Sequence, residues 1–225
     1  MLIAICGMQR SGSTFSFNIA RELLKVRGGV CCSAIASTAI ALENVTSNNL
    51  IIKNHELDGI GNSLLRVGAI KGICTIRDPY EAIESWMEVF GFTLEQSIVD
   101  FSAWLRSFQS FQEDVLVLRF DTIQEKPLKA ILKIARHLGI YPSPIELYRL
   151  WKNYKKDSVG RTSNTMSANK DKTVDIGFSY FDKETFFHRG HVRLQKSVVL
   201  TPSERERIAA QIPDFLDFYH RFFRF

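Results

Sequence analysis

A short apolar run, Leu2-Ile3-Ala4-Ile5-Cys6, leads into Gly7-Met8-Gln9-Arg10-Ser11-Gly12-Ser13-Thr14, and an amphipathic stretch from Ser13 to Lys25 follows. Few patterns restrict a chain more, because strand, glycine-bearing loop and helix in that order open a parallel α/β sheet. The loop fits the frame G-x-x-x-x-G-K-S/T at every fixed position except one, where Ser13 replaces lysine. Glycines in such a loop let backbone N–H groups turn toward a phosphate-like anion, and the helix start adds partial positive charge. That half of the design is intact. The missing lysine is the group that reaches the β- and γ-phosphates of a nucleoside triphosphate, so a conventional ATPase or GTPase is disfavoured. Arg10, inside the loop, can pair with one phosphate and a neighbouring leaving oxygen. A ligand-free turn can have the same composition; the flanking strand and helix favour binding.

Short Ile-, Val- and Leu-rich runs at Leu50–Lys53, Ile70–Ile76 and Val115–Phe120 predict further buried strands. Pro79 and Pro127 suit the first turns of helices running to about Phe90 and ending before Gly139. Periodic stretches cover Leu94–Phe111 and Pro144–Lys155, and Thr201-Pro202-Ser203-Glu204 reads as a capping box opening a helix to about Gln211. The aromatic tail Phe215–Phe225 predicts a packed terminal helix. Asp157–Lys172 is polar and reads as a loop, either a lid over a site or ordinary surface. The expected fold is an α/β three-layer sandwich: a mostly parallel central sheet with helices on both faces, in a single domain over residues 1–225.

A formal charge of +5 and pI near 9.0 favour an anionic partner, or reflect simple solubility. The four cysteines form no CxxC pair or zinc spacing, and no carboxylate set for Mg²⁺ stands out. Free thiols, an opening apolar run too short for a signal-peptide core, and no stretch near the ~20 residues of a membrane span lead to an expected cytoplasmic location.

Arg10-Ser11-Gly12-Ser13-Thr14-Phe15 resembles the phosphosulfate-binding loop of the sulfotransferase family, in which Lys or Arg precedes Ser-Gly-Thr/Ser-Thr and an aromatic. Arg77-Asp78-Pro79 with Ser85 is similar to the family's 3'-phosphate site, an Arg at a strand end followed by Pro two residues on and Ser eight on. Leu50-Ile51-Ile52-Lys53-Asn54-His55 looks like its strand ending in Lys-Thr-His, with Asn54 in place of Thr. Val117-Leu118-Arg119-Phe120-Asp121 resembles its strand followed by Tyr-Glu-Asp, with Phe120 for the tyrosine. Phe187-His188-Arg189-Gly190 looks like the Phe-x-Lys-Gly core of its late basic motif.

The resemblance implies a metal-free sulfotransferase using 3'-phosphoadenosine 5'-phosphosulfate (PAPS) as donor and a small-molecule or glycan acceptor, with neither nucleic acid nor a membrane span involved and a homodimer possible. It implies His55 as catalytic base, Lys53 and Arg10 as cations at the departing phosphate, and a donor site made of Arg10, Ser11, Gly12, Ser13, Thr14, Phe15, Arg77, Ser85, Phe120, Arg189 and Gly190. Some sulfotransferases use a carboxylate base, which keeps Glu56 and Glu84 as alternatives. Phe15 and Phe120 would flank adenine or simply pack in the core. Acceptor contacts would come from Ser33–Val45 and the surroundings of Trp86, Phe90 and Trp104. Two rival readings stay open: a kinase or nucleotide hydrolase with a degenerate loop, and a non-catalytic nucleotide-binding module.

Overall fold

The structure, a computed structural model, describes residues 1–26, 28–34, 37–165, 172–175, 180–187 and 198–224. Strand β1 (Leu2–Ile5) runs into the first loop and helix α1 (Ser13–Lys25); β2 (Cys31–Ala34) and α2 (Thr38–Glu43) follow. Next come β3 (Leu50–Lys53), α3 (Gly59–Arg66), β4 (Lys71–Ile76), α4 (Pro79–Phe90) and α5 (Leu94–Gln109). The second half holds β5 (Val115–Arg119), α6 (Phe120–Glu125), α7 (Pro127–Leu138), α8 (Pro144–Tyr154) and α9 (Lys156–Asn164). A small antiparallel hairpin of β6 (Thr173–Asp175) and β7 (Tyr180–Asp182) precedes α10 (Pro202–Gln211) and α11 (Phe215–Phe222).

The main sheet has five parallel strands in the order β2-β3-β1-β4-β5. Alternate residues of one strand point to opposite faces, and β1 divides accordingly. Ala4 enters a core with α4, α5, α10 and α11, while Ile3 and Ile5 enter one with α1, α7 and α8. Two apolar faces, each covered by helices, make the three layers. Because α1 leaves β1 on one face and α4 leaves β4 on the other, the chain diverges at the carboxyl ends of these neighbouring strands. Open α/β sheets bind ligands in such a crevice.

Local signals set most boundaries. Pro79, Pro127, Pro144 and Pro202 each begin a helix, and Thr93, Ser143 and Thr201 complete capping boxes with Gln96, Glu146 and Glu204. The expected loop over Asp157–Lys172 is overturned in its first half, where α9 runs to Asn164. Only Val159 and Ser163, one turn apart, are buried there, so the helix rests on contact with α8 rather than on an apolar stripe visible in sequence. The edge strand β2 also escaped the reading: Cys31-Cys32-Ser33-Ala34 has no branched apolar residue, and its conformation comes from pairing with β3.

Candidate active site

The first loop is held from below by β4. Cys6 N–H donates to the Ile73 carbonyl at 3.0 Å and Met8 N–H to the Thr75 carbonyl at 2.9 Å. The Ser11 hydroxyl is within hydrogen-bond distance of the Met8 and Thr75 carbonyls and of Thr75 Oγ1, and Ser11 is fully buried. Ser11 therefore holds the loop's shape, with its hydroxyl turned inward. Gly7 is required by close approach: a Cβ there would lie 2.0 Å from Thr75 Oγ1 and 2.9 Å from Thr75 N. Gly12, at φ 93, is left-handed, and a Cβ on it would meet Ile123 Cδ1 at 2.9 Å.

Gly12 is also the N-cap of α1 and offers no side chain to the amides of the first turn. By contrast α4 is capped by Asp78, which accepts from Tyr80 and Glu81 N–H. The leading amides of α1 thus keep their capacity for an external acceptor. Ser13 and Thr14 are buried at its start, and Arg10 takes a left-handed conformation (φ 62) in the loop.

Arg77, at the end of β4, reaches back to this loop. Its Nη1 donates to the Arg10 carbonyl at 3.4 Å, Nε and Nη2 pair with Glu81, and the guanidinium lies 4.5 Å from the centre of the Phe120 ring. Phe120 in turn stands beside Gly12. Arg77, Phe120 and the first loop therefore form one cluster. Ser85 is half-buried one turn beyond Glu81 on α4 and makes no hydrogen bond to Arg77. Phe15 is buried in the core beneath α1, and so is not an open partner to Phe120. Arg189 and Gly190 lie outside the described residues.

At the end of β3, Asn54 N–H donates to the Ile5 carbonyl, fixing the turn that carries Lys53 and His55. Burial holds Lys53 down to about 8, and no acidic side chain among the described residues pairs with it; its ammonium sits 5.8 Å from the Phe186 ring. His55 Nδ1 lies 2.6 Å from the Gly7 carbonyl. A carbonyl can only accept, so Nδ1 carries the proton and Nε2 keeps its lone pair. Burial first, then the Lys53 charge, push His55 down to about 4, so the imidazole is neutral at pH 7.

His55 opens into a pocket of about 180 Å³ lined by Gln9, His55, Glu56, Trp86, Asp100, Ala103 and Trp104. Trp86 Nε1 donates to the Gln9 carbonyl at 3.1 Å, tying α4 to the first loop. Trp86 and Trp104 are placed where acceptor contacts were expected, whereas Phe90 is exposed and packs on Phe92. Of the two carboxylates considered as bases, Glu84 is buried and accepts from Leu200 N–H and Arg205, while Glu56 lines the pocket.

Several site residues were not singled out by the sequence. Thr75 and Asp100 gave no signal. Asn18 and Arg21 did: both are polar on the face of α1 that periodicity assigns to the core. Asn18 Nδ2 bridges the Thr14 and Thr185 carbonyls, and Arg21 donates to the Glu184 carbonyl, so α1 holds the 184–187 segment against itself. Among the described residues no group of three or more His, Cys, Asp or Glu is placed to hold a metal ion, and no helix is long and apolar enough to cross a membrane.

The five-stranded parallel sheet flanked by helices matches the fold of solved sulfotransferase structures. Mouse sulfotransferase SULT7A1 complexed with PAP matches with a TM-score of 0.65 at 13% identity, over 93% of this chain and 82% of that one. Retinol dehydratase in complex with androsterone and inactive cofactor PAP matches with a TM-score of 0.57 at 12% identity, over 98% of this chain and 80% of that one. No family model and no curated protein matches the sequence.

Proposed function

We propose that this chain transfers a sulfuryl group from PAPS to an acceptor hydroxyl, or less readily an amine. The observation that carries the reading is the 2.6 Å contact between His55 Nδ1 and the Gly7 carbonyl. It ties a neutral imidazole to the very loop whose amides suit a phosphate, so proton acceptor and anion site are one rigid unit. Similarity to PAP-bound folds supports the same donor.

PAPS, when bound, supplies a sulfuryl group activated by a phosphate leaving group. His55 Nε2 takes the acceptor proton as the new S–O bond forms. Lys53, Arg10 and the α1 amides hold the charge that collects on the phosphate oxygen as the old S–O bond breaks, and losing one such donor costs roughly 3 kcal/mol. A depressed histidine pKa keeps the base unprotonated, at some loss of proton affinity. Arg77, whose Nη1 reaches the Arg10 carbonyl, is the cation for a 3'-phosphate, with Ser85, Arg189 and Gly190 as further contacts and Phe120 against the base.

A thermal-shift comparison tests this. Adenosine 3',5'-bisphosphate in metal-free buffer is expected to raise the unfolding midpoint more than ATP with Mg²⁺, since ligand at 100 times Kd adds about 2.7 kcal/mol. Preference for ATP with Mg²⁺ would favour a kinase or hydrolase. Binding of the bisphosphate without any product from PAPS and a panel of hydroxylated acceptors would favour a binding module.

A further inference from the structure

The pocket beside His55 has an acidic lining among the described residues. Among the described residues its lining includes two carboxylates, Glu56 and Asp100, and neither lysine nor arginine, in a chain of net charge +5. Both are exposed, and neither has an ion-pair or hydrogen-bond partner among the described residues. Elsewhere on the surface Glu95 and Glu113 are matched by Arg207 and Arg221. Trp86 and Trp104 also line it. Two carboxylates without a cationic partner among the described residues favour a positively charged ligand. At about 180 Å³ the pocket is smaller than the roughly 300–1,000 Å³ of drug-sized sites, so it admits one ring or a short chain.

We infer that the acceptor is a small hydroxylated amine, its hydroxyl turned to His55 and its ammonium held by Glu56 and Asp100. This rests on the sulfuryl-transfer reading and adds the acceptor's charge and size. The same carboxylates repel anionic acceptors, including acidic glycans.

The test is calorimetric titration of the full chain, saturated with adenosine 3',5'-bisphosphate at pH 7, with three phenols of equal bulk: tyramine, 4-ethylphenol and 3-(4-hydroxyphenyl)propionate. Tyramine is expected to bind at least about tenfold tighter than 4-ethylphenol, and the propionate weakest. In a double variant, Glu56→Gln with Asp100→Asn, the ratio should fall to within about twofold; both positions are exposed, so the fold is not at stake. Equal binding of the three, tighter binding of the propionate, or a double variant that keeps its tyramine preference would overturn the inference. Product analysis with PAPS separates the two layers. Sulfated 4-ethylphenol with no amine preference leaves transfer standing and removes the acceptor class. Amine preference with no sulfated product removes transfer and leaves a cation pocket.

Discussion

His55 and Lys53 sit two residues apart at the end of β3, and each is shifted toward its neutral form by burial. For His55, held near 4 against about 6.5 when unfolded, the unfolded chain binds more protons between those values. Stability from this residue is therefore complete above about pH 6.5 and is lost as pH falls through about 4. The acid limb of kcat/KM should likewise lie well below pH 6 rather than at the ordinary histidine value, and His55→Ala should lower kcat by about 10²–10⁴-fold, measured by steady-state assay with PAPS. Lys53, held near 8, is largely deprotonated at pH 9 in the free protein. An anion beside it restores the charge, so binding of adenosine 3',5'-bisphosphate at pH 9 should take up close to about one proton, read by titration in buffers of different ionisation enthalpy. Lys53→Met should abolish that uptake; uptake retained in this variant would assign the proton elsewhere.

The first loop and α1 act as one element, fixed beneath by Thr75 and outside by the 184–187 segment. Gly7→Ala drives a methyl into Thr75 and breaks the contacts that shape the loop. It should destabilise by about 1–3 kcal/mol in urea unfolding, with a larger proportional loss of bisphosphate affinity. Asn18→Ala removes the bridge between the Thr14 and Thr185 carbonyls and takes this donor from the half-buried Thr185 carbonyl, at a cost of about 1–3 kcal/mol. Amide exchange should accelerate in residues 184–187 while β1 and β4 stay protected. Equal acceleration throughout would mean that Asn18 serves the core rather than the attachment.

Across the whole molecule, the face carrying the pocket is built from aromatic side chains far apart in sequence. Phe101, Trp104 and Phe108 of α5 meet Phe215 and Phe218 near the carboxyl end of the chain, with Trp104 and Phe108 stacked at 5.1 Å. Phe218→Ala should cost about 3–5 kcal/mol in urea unfolding and loosen the backing of Trp104. Tyramine affinity should then fall without a matching loss of bisphosphate affinity, because the first loop stands on different supports.

Local chemistry could be read directly from the chain. Proline and Ser/Thr caps marked helix starts, branched runs marked the buried strands, and the first strand, loop and helix were legible because each depends on residues only a few positions apart. Tertiary structure decided whatever needs a distant partner: β2 exists because β3 pairs with it, and α9 packs against α8 with Val159 and Ser163 buried. It also settled which polar groups stay available. Ser11 and Glu84 are drawn into internal bonds, while His55 Nε2, Lys53, Glu56 and Asp100 have no hydrogen-bond or ion-pair partner among the described residues, and that allocation follows from burial and packing, which no local pattern encodes.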